Sequence, residues 1–398
     1  MADARRDVVI TGIGIVSSLG EGLEAHWKGL NAPPVPPDLT NFAPCIAHPI
    51  VPINFDTQIP KKGDQRQMEP WQRIGTYAAG LALESAKAKG QPDLVSKMDM
   101  IVAAGGGERD VAVDGAILTG LPGAADPGKF LNDRLLNDLR PTLFLAQLSN
   151  LLAGNISIVH GVTGSSRTFM GEESSGIDAV RIALARIQAG QSDITLVGGA
   201  HNGERKDLFM LYEAGGYNLR APFRPVWERG DNAGFALGSL GAFLVLESAD
   251  HAKARSAEPI AKLSAVTAAR ASRKPGTITG VLEEMFGQIS AMNPIKPDHA
   301  AVISGATGAE PGTSEERAFL SKHAALPARA TGTYIGHGLE PQFTMNIALA
   351  ALALRHRKLF AEADKSGVEQ PMTNSLDQVV VTGVGHWRGE GLALVEAI

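Results

Sequence analysis

Short apolar, β-branched runs alternate along the chain with longer Ala- and Leu-rich segments of helical spacing. The runs are nearly all apolar, which is typical of strands covered on both faces of a sheet. They lie at Asp7–Ile10, Met100–Ala104, Ile156–His160, Asp193–Val197, Ala242–Leu246, Ala300–Ser304, Gln378–Thr382 and Leu392–Glu396. The segments between them predict helices over Trp71–Lys89, Leu143–Leu152, Gly176–Ala189 and Thr344–His356. This alternation predicts an α/β protein.

The two ends of the chain carry similar strand-and-turn sequences. Val8–Gly14 reads VVITGIG and Val379–Gly385 reads VVVTGVG, a likeness that either chance or two related halves can explain. A chain of 398 residues has room for two halves, because domains commonly contain about 100–200 residues. We place the division after the charged stretch Glu247–Arg255, which gives an N-terminal half at residues 1–255 and a C-terminal half at residues 256–398.

Proline and glycine mark the loops. Residues 31–64, inside the first half, contain eight prolines, so we expect an irregular surface loop there. The chain has 45 glycines among its 398 residues. This is about 11%, compared with a usual share of about 7%, and it predicts many tight turns and close backbone approaches.

Composition excludes several functional classes. The chain has 37 basic and 42 acidic residues and a net charge of −5, whereas nucleic-acid-binding proteins usually show a basic stripe. The single cysteine, Cys45, excludes an internal disulfide framework and a Cys-rich zinc site, and it suggests a reducing compartment. No apolar run has signal-peptide length at the N-terminus, and no window reaches about 18 uninterrupted apolar residues. We therefore expect a cytoplasmic protein with no nucleic-acid partner and no membrane span.

The first candidate site is a strand, a tight turn and a helix within Gly161–Ala200. The strand is predicted over Ser166–Met170 and the turn over Gly171–Gly176. Such a turn exposes side chains beside the free N–H groups of a helix N-terminus. Many α/β enzymes present a nucleophile in this way. The candidates are Glu172, Glu173, Ser174 and Ser175. Carboxylates and serines also favour a helix N-terminus simply as caps, so these residues alone leave the function open.

Two glycine-rich loops carry further candidates. His337 lies between two glycines, where an imidazole can approach a ligand and exchange a proton, although a lone loop histidine is more often solvated. Thr382–Gly391 connects two strands, either as a mobile loop over a cleft or as an ordinary hairpin. Its notable side chains are His386, Trp387, Arg388 and Glu390.

The sequence predicts neither a cofactor nor a metal. It has no Walker motif, and the glycines near Gly12 and at Gly105–Gly107 lack the GxGxxG spacing and the acidic partner of a dinucleotide site. No group of histidine, cysteine and carboxylate residues has the spacing of metal ligands.

Taken in order, these segments resemble the β-ketoacyl-ACP synthases of fatty-acid and polyketide synthesis. The resemblance spans nearly the whole chain. It rests on VVITGIGIVSSLG, on GNISIVHGVTGSS with the following turn, helix and DITLVGGA, on RPVWERGDNAGFALGSLGAFLVLESADHAKAR, on IGHGLE and on the terminal glycine loop. It implies a thiolase-like fold with duplicated α-β-α-β-α layers and two mixed five-stranded sheets. It also implies an acyl carrier protein or an acyl thioester as partner.

The resemblance places a glutamate where the family has its nucleophile. The family cysteine stands three residues before the glycine that opens the helix, and because that glycine is Gly176 here, the position is Glu173. Cys45 lies in the proline-rich loop and does not match. A stable acyl carrier needs a thioester or an ester, which a carboxylate does not form.

Most other catalytic positions of the family are also substituted. His337 matches the histidine of the family's TGH motif. The remaining positions hold Gly305 for the first histidine, Gly332 for the lysine, Ser239 for an acidic residue, His386 for the loop phenylalanine and Glu390 for the loop asparagine. With three of four catalytic groups missing, we expect no condensation by the family mechanism.

The resemblance implies a role beside an active enzyme. Ketosynthases commonly pair through the strand before the nucleophile turn, here Ser165–Gly171, and some pair with a cysteine-less homologue called a chain-length factor. We therefore expect a homodimer, or a heterodimer with a cysteine-bearing ketosynthase. In the heterodimer Phe169 and Met170 would help to set the length of the acyl tunnel, and His386 and Glu390 would lie along it. One alternative is an enzyme that uses Glu173 and His337 for other acyl-thioester chemistry, such as malonyl decarboxylation, and another is an acyl-carrier-binding scaffold.

Overall fold

A computed structural model describes residues 5–141 and 143–398. Its strands are β1 Val8–Ser17, β2 Gly20–Glu21, β3 Ala47–His48, β4 Asp99–Ala103, β5 Ser166–Phe169, β6 Ile194–His201, β7 Leu237–Gly238, β8 Leu240–Ser248, β9 Ala261–Ala269, β10 Ala300–Ser304, β11 Ala328–Ala330, β12 Gln378–Val384 and β13 Glu390–Glu396. Its helices are α1 Gly22–Leu30, α2 Lys62–Gln67, α3 Pro70–Ser85, α4 Pro92–Val95, α5 Val111–Gly120, α6 Pro127–Asn137, α7 Leu143–Ala146, α8 Leu151–His160, α9 Glu172–Gln188, α10 Lys206–Ala214, α11 Ala249–Ala254, α12 Thr277–Met292, α13 Gly312–Lys322, α14 Gly332–Ile335 and α15 Gln342–Arg355. Short 3₁₀ turns lie at Phe55–Thr57, Leu121–Gly123, Val226–Glu228 and Pro297–His299.

One strand pattern occurs twice in the main sheet. The order β5-β4-β6-β8-β1 runs through two parallel and then two antiparallel pairings, and β11-β10-β12-β13-β9 repeats it. The two five-stranded parts join where Val9 and Ile10 of β1 pair with Lys262 and Ala261 of β9. The expected pair of mixed five-stranded sheets is therefore present as two parts of one continuous sheet.

Helices cover the sheet in layers. α9 and α15 pack against each other and against strands of both five-stranded parts. Residues 342–354 of α15 are buried on every side, as expected of a helix enclosed in a core. On the outer faces, α3 and α8 cover the first part, while α12 and α13 cover the second. The central helices α9 and α15 both begin at the same region of the molecule, which places their N-terminal residues close together.

The strand predicted at Ile156–His160 is wrong, because these residues form the second half of α8. Leu152, Ala153 and Ile156 share one helical face and are buried against α3, whereas Ile158 is 72% exposed. Burial at helical spacing outweighs the β-branched composition that favoured a strand. The predicted helix Leu143–Leu152 is also divided, since α7 ends at Ala146 and α8 begins at Leu151.

The two similar sequences at the chain ends lie in strands that are not equivalent. Val8–Gly14 belongs to β1, whose counterpart in the repeated order is β9. Val379–Gly385 begins in β12, whose counterpart is β6. The likeness therefore reflects a local strand-and-glycine pattern, and the division at residues 255 and 256 stays a prediction.

The proline-rich loop packs back onto the body of the protein. Within it, β3 pairs with β7, and Leu237 of β7 bridges to His337. The loop therefore braces the segment that carries His337. In the part of the chain that the structure describes, no helix combines the length and the apolar character needed to cross a bilayer.

Candidate active site

The turn between β5 and α9 buries two of its four candidate side chains, Glu173 and Ser175. Gly171 has φ 125° and Glu172 has φ 53°, and positive φ is costly for a residue other than glycine. Ser174 donates to the Gly171 carbonyl at 2.8 Å and Ser175 to the Glu172 carbonyl at 2.7 Å, so both hydroxyls are used within the turn. Glu173 is 4% exposed, and its carboxylate is not used within the turn. Glu173 is therefore the buried candidate whose polar group is directed to other elements.

Gly176 allows α9 to approach the segment before α15. A Cβ at Gly176 would lie 2.1 Å from the carbonyl oxygen of Glu340, which is far inside the contact distance. Only glycine fits this close approach. The contact fixes Glu173, one turn earlier in α9, relative to His337, three residues before Glu340.

His337 is held by backbone hydrogen bonds to β7 and its flanks. Its N–H donates to the Ala236 carbonyl at 2.8 Å, and its own carbonyl accepts from Gly238 at 2.9 Å. Its side chain is buried, and Nε2 lies 2.7 Å from Oε1 of Glu173. The imidazole therefore donates to the carboxylate through Nε2–H.

The loop between β12 and β13 brings a second imidazole to the same oxygen. Val384 pairs with Glu390, so the loop is a hairpin connection, one of the two interpretations that the sequence leaves open. Nδ1 of His386 lies 2.8 Å from Oε1 of Glu173, and the His386 backbone N–H donates to that oxygen at 3.2 Å. We call Glu173, His337 and His386 the Glu173 cluster.

Aromatic rings orient the His386 imidazole. Its ring meets those of Tyr212, Tyr217 and Phe235 edge-on, with centroid distances of 5.4, 4.8 and 5.4 Å. Its Nε2 lies 3.8 Å from Oε1 of Glu172, whose side chain is 33% exposed. His386 therefore lies between the two glutamates of the turn.

The Glu173 cluster favours an ionised carboxylate. Burial alone would raise the pKa of Glu173, but the His386 charge and the hydrogen bonds from both imidazoles hold that pKa well below its usual range. Burial alone would lower the pKa of His386, but the Glu173 charge outweighs it and raises that pKa. Burial lowers the pKa of His337 despite its bond to Glu173. The state we infer is a carboxylate, one imidazolium at His386 and one neutral imidazole at His337.

One oxygen of this cluster remains without a donor. Oε2 of Glu173 is buried and has no hydrogen-bond partner among the described residues. Because a buried acceptor without a donor is costly, this oxygen is the unsatisfied point of the site.

The two glycines at lost catalytic positions supply no side-chain donor. A Cβ at Gly305 would lie 2.5 Å from the Thr382 carbonyl oxygen, and one at Gly332 would lie 3.2 Å from the Ala306 carbonyl oxygen. A histidine at Gly305 would therefore require a backbone shift. Neither position contributes an imidazole or an ammonium group.

The remaining predicted residues have other surroundings. Glu390 is fully buried and pairs with Arg273 at 2.5 Å, which anchors the hairpin. Phe169 packs against the central core. Met170 is 66% exposed and lines a cavity of about 590 Å³ beside His386 and Glu172, which we call the outer cavity. Cys45 belongs to a neighbouring apolar cluster with Tyr212 and Phe235, and its thiol contacts Glu213. Burial raises the pKa of that thiol, so it is a poor nucleophile.

Sequence reasoning missed a second cavity next to Glu172, whose lining includes a histidine and two glutamates. This inner cavity of about 240 Å³ is lined by His201, Glu340, Glu172 and Trp71 among others. Nδ1 of His201 lies 3.4 Å from Oε2 of Glu340, and both side chains are buried. Nε2 of His201 and Oε2 of Glu340 have no hydrogen-bond partner among the described residues. The sequence signal that could have indicated this pair was position along the chain, since His201 ends β6 and Glu340 precedes α15.

The fold also assembles a group that sequence spacing did not reveal. One oxygen of Glu173 and one nitrogen each of His337 and His386 all lie within 4.8 Å of one another. The two histidines are 164 and 213 residues from Glu173 along the chain. The prediction that no metal is bound was made from spacing along the sequence, which does not detect this group, and it stays a prediction.

Comparison with known proteins identifies the family. A family model described as "Beta-ketoacyl synthase, N-terminal domain" matches residues 5–252. The 3-oxoacyl-[acyl-carrier-protein] synthase 2 of Vibrio cholerae is 26% identical over 276 residues, which cover 65% of this chain and 62% of that protein. The chain thus spans less than two thirds of the length of this curated relative.

Solved structures match over nearly the full chain. The ishigamide ketosynthase/chain length factor aligns with a TM-score of 0.78 and 20% identity, covering 99% of this chain and 100% of that one. A type II polyketide synthase acyl carrier protein in complex with its ketosynthase bound to the hexaketide aligns with a TM-score of 0.72 and 17% identity, covering 99% and 100%. These structures share the thiolase-like fold. The chain therefore belongs to the β-ketoacyl synthase family.

Proposed function

We propose that this protein is the non-condensing subunit of a ketosynthase pair, which binds a cysteine-bearing ketosynthase and helps to set the length of its acyl product. The observation that carries the proposal is the Glu173 cluster. The nucleophile position holds a carboxylate that is 4% exposed and bonded to both imidazoles. Such a group does not form a stable acyl ester, which the family's acyl-transfer step requires.

The surroundings of Glu173 support the same conclusion. Condensation needs donors for the carbonyl of a decarboxylating malonyl thioester. Gly305 and Gly332 carry none, and Nε2 of His337, the imidazole at the retained family position, is already bonded to Glu173 at 2.7 Å. Nε2 of His337 therefore stabilises a buried charge and is not available to substrate.

The edge of the sheet supports pairing with another chain. β5 is the last strand beside β4, and among the described residues no strand covers its other side. Ser166 and Arg167 are exposed along it. Such an open edge is suited to pairing with a strand of a second subunit.

Exposed apolar side chains also lie on α5, α6 and α7. Leu118, Leu136, Phe144 and Leu145 are between 50% and 73% exposed there. Exposed apolar surface is typical of protein interfaces. The proposed partner is a homologous ketosynthase, whose equivalent edge would continue the sheet.

An apolar cavity offers a candidate wall for the acyl tunnel. It has a volume of about 880 Å³ and is lined by Val111, Leu118, Leu135, Met210 and Leu211 among others. Leu211 also lines the outer cavity, so the two cavities share a wall. This size and lining suit an acyl chain. Met170 at the outer cavity and Met210 at the apolar cavity are the positions where side-chain size would change product length.

Co-expression with each cysteine-bearing ketosynthase of the same organism tests the proposal. We expect one of them to co-purify with this chain as a heterodimer and to elongate acyl groups only in the pair. Met210→Trp should then shorten the product, whereas Met292→Trp, a matched change at another exposed methionine on α12, should not. Elongation by this chain alone, or the same products from the ketosynthase with and without it, would refute the proposal.

A further inference from the structure

We propose that Glu173, His337 and His386 form a binding site for a divalent transition metal of the zinc class. One carboxylate and two imidazoles are donors that zinc prefers. Their ligand atoms lie within 4.8 Å of one another, and all three side chains are buried. The site is a property of the isolated chain and does not depend on the proposed partner subunit.

The distances in the cluster require only a small expansion. Oε1 of Glu173 is 2.7 Å from Nε2 of His337 and 2.8 Å from Nδ1 of His386. Tetrahedral zinc with bonds of about 2.0–2.1 Å separates its ligands by about 3.3 Å. A shift of about half an ångström therefore admits the ion. The partnerless Oε2 of Glu173 provides a second oxygen that can turn toward it.

The residues around His386 are of the kind that orient a metal-binding histidine. A metal-bound imidazole commonly directs its other ring nitrogen to a carboxylate, which fixes the ring and its tautomer. If Nδ1 of His386 binds the metal, Nε2 faces Oε1 of Glu172 at 3.8 Å. The rings of Tyr212 and Tyr217 hold the imidazole from the sides.

Charge and access also fit a divalent cation. Glu172 and Glu340 place two further carboxylates around the cavities next to the cluster. The outer cavity, of about 590 Å³, is lined by His386 and Glu172, so an ion can enter there with water as a fourth ligand. Three protein ligands and one open position are the arrangement of many zinc sites.

Metal titration of the untagged, EDTA-dialysed protein tests this site. We expect one equivalent of Zn²⁺ per chain by elemental analysis and calorimetry, and visible absorption from Co²⁺ in a site of low coordination number. His386→Phe should weaken Zn²⁺ binding by at least roughly 100-fold, and Glu172→Gln by roughly 10-fold, as is typical of outer-shell partners. His299→Ala, which removes an exposed histidine 3.6 Å from Asp377, is the matched control and should bind normally.

The outcomes separate a built site from surface binding. Less than stoichiometric Zn²⁺ on the wild-type protein, or equal affinity in His386→Phe, would overturn the proposal. Because His386→Phe can lose its fold, the histidine nitrogen NMR signals of the wild-type protein provide a second measurement. Zn²⁺ should shift the signals of two buried imidazoles, and shifts confined to exposed histidines would also overturn it. Failure here leaves the heterodimer experiment unaffected.

Discussion

Two buried carboxylate–histidine contacts lie on either side of Glu172 and differ in how their polar atoms are satisfied. Oε1 of Glu173 accepts from His337 and His386 at 2.7 and 2.8 Å. Glu340 and His201 approach only to 3.4 Å, and each keeps a buried atom without a hydrogen-bond partner. In the first contact, which we call closed, Oε1 of Glu173 has two donors, although Oε2 has none among the described residues. In the second, which we call open, the carboxylate and the imidazole share no hydrogen bond and line a cavity. Burial alone therefore does not make a carboxylate inert. The number of hydrogen-bond donors around it decides how well its charge is stabilised.

Removing the carboxylate of the closed contact should have the largest effect. Glu173→Ala leaves the His386 imidazolium buried without its partner, and breaking a buried pair in this way costs about 3–5 kcal/mol. Urea unfolding of the metal-free protein measures the loss. Glu173→Gln keeps an oxygen acceptor for His337 and should lose less. Equal losses in the two variants would show that the charge of Glu173 does not matter.

Glu316 provides a third buried carboxylate with neutral donors. Ser304 donates to it at 2.6 Å and Thr382 also donates, and none of the described residues pairs with it as a cation. Burial raises the pKa of Glu316 to about 7, despite these two hydroxyls. Its raised folded pKa means that the native state binds a proton more tightly than the unfolded chain, so stability falls as pH rises from 4.5 to about 7.

A substitution isolates this contribution from the rest of the chain. Glu316→Gln should gain stability relative to the wild type as pH rises through that window, by at most about 3 kcal/mol. Unfolding curves at several pH values measure the difference. The comparison between variant and wild type matters because burial also raises the pKa of Glu369 to about 7. A difference that stays constant with pH would contradict the expected ionisation.

The sequence allowed part of the closed contact to be predicted. The strand, turn and helix around Glu173 and the glycine-flanked His337 follow from local pattern and family resemblance. The role of His386 did not, because its position matches a phenylalanine of the family and it lies 213 residues from Glu173. Only the paired β12 and β13 bring it to the carboxylate.

Errors in the fold prediction have a similar cause. Ile156–His160 has the composition of a strand, yet tertiary burial of one helical face makes it helical. The contact between His201 and Glu340 carries no motif, since each residue stands alone at the end of an element. Long-range packing therefore decided what local composition could not.

Separating the two contacts should have a moderate effect. Gly176→Ala places a Cβ 2.1 Å from the Glu340 carbonyl oxygen and pushes α9 from the segment before α15. Overpacking of this kind costs about 1–3 kcal/mol. Gly280→Ala on α12 has no atom within 4 Å of its Cβ and should stabilise by up to about 1 kcal/mol. A neutral Gly176→Ala measured by thermal unfolding would disprove the tight contact.

Neutralising the open contact should have the smallest effect. Glu340→Gln removes a carboxylate whose Oε2 lacks a donor, so the free energy of unfolding should change by less than about 1 kcal/mol. Thermal unfolding of Glu340→Gln and Glu173→Ala side by side measures the difference between their losses of stability. Losses of similar size would mean that the open contact is as tightly coupled as the closed one.

The uncovered side of β5 affects how the newly made protein behaves before it binds any other chain. A newly made copy presents unpaired backbone groups at Ser166–Phe169, followed directly by the exposed side chain of Met170. Such an edge can join to identical copies and seed aggregates. If the proposed heterodimer forms, a cell that makes this chain in excess over its partner would lose the surplus to aggregation or proteolysis. The rate of synthesis of one subunit would then set the useful amount of the other.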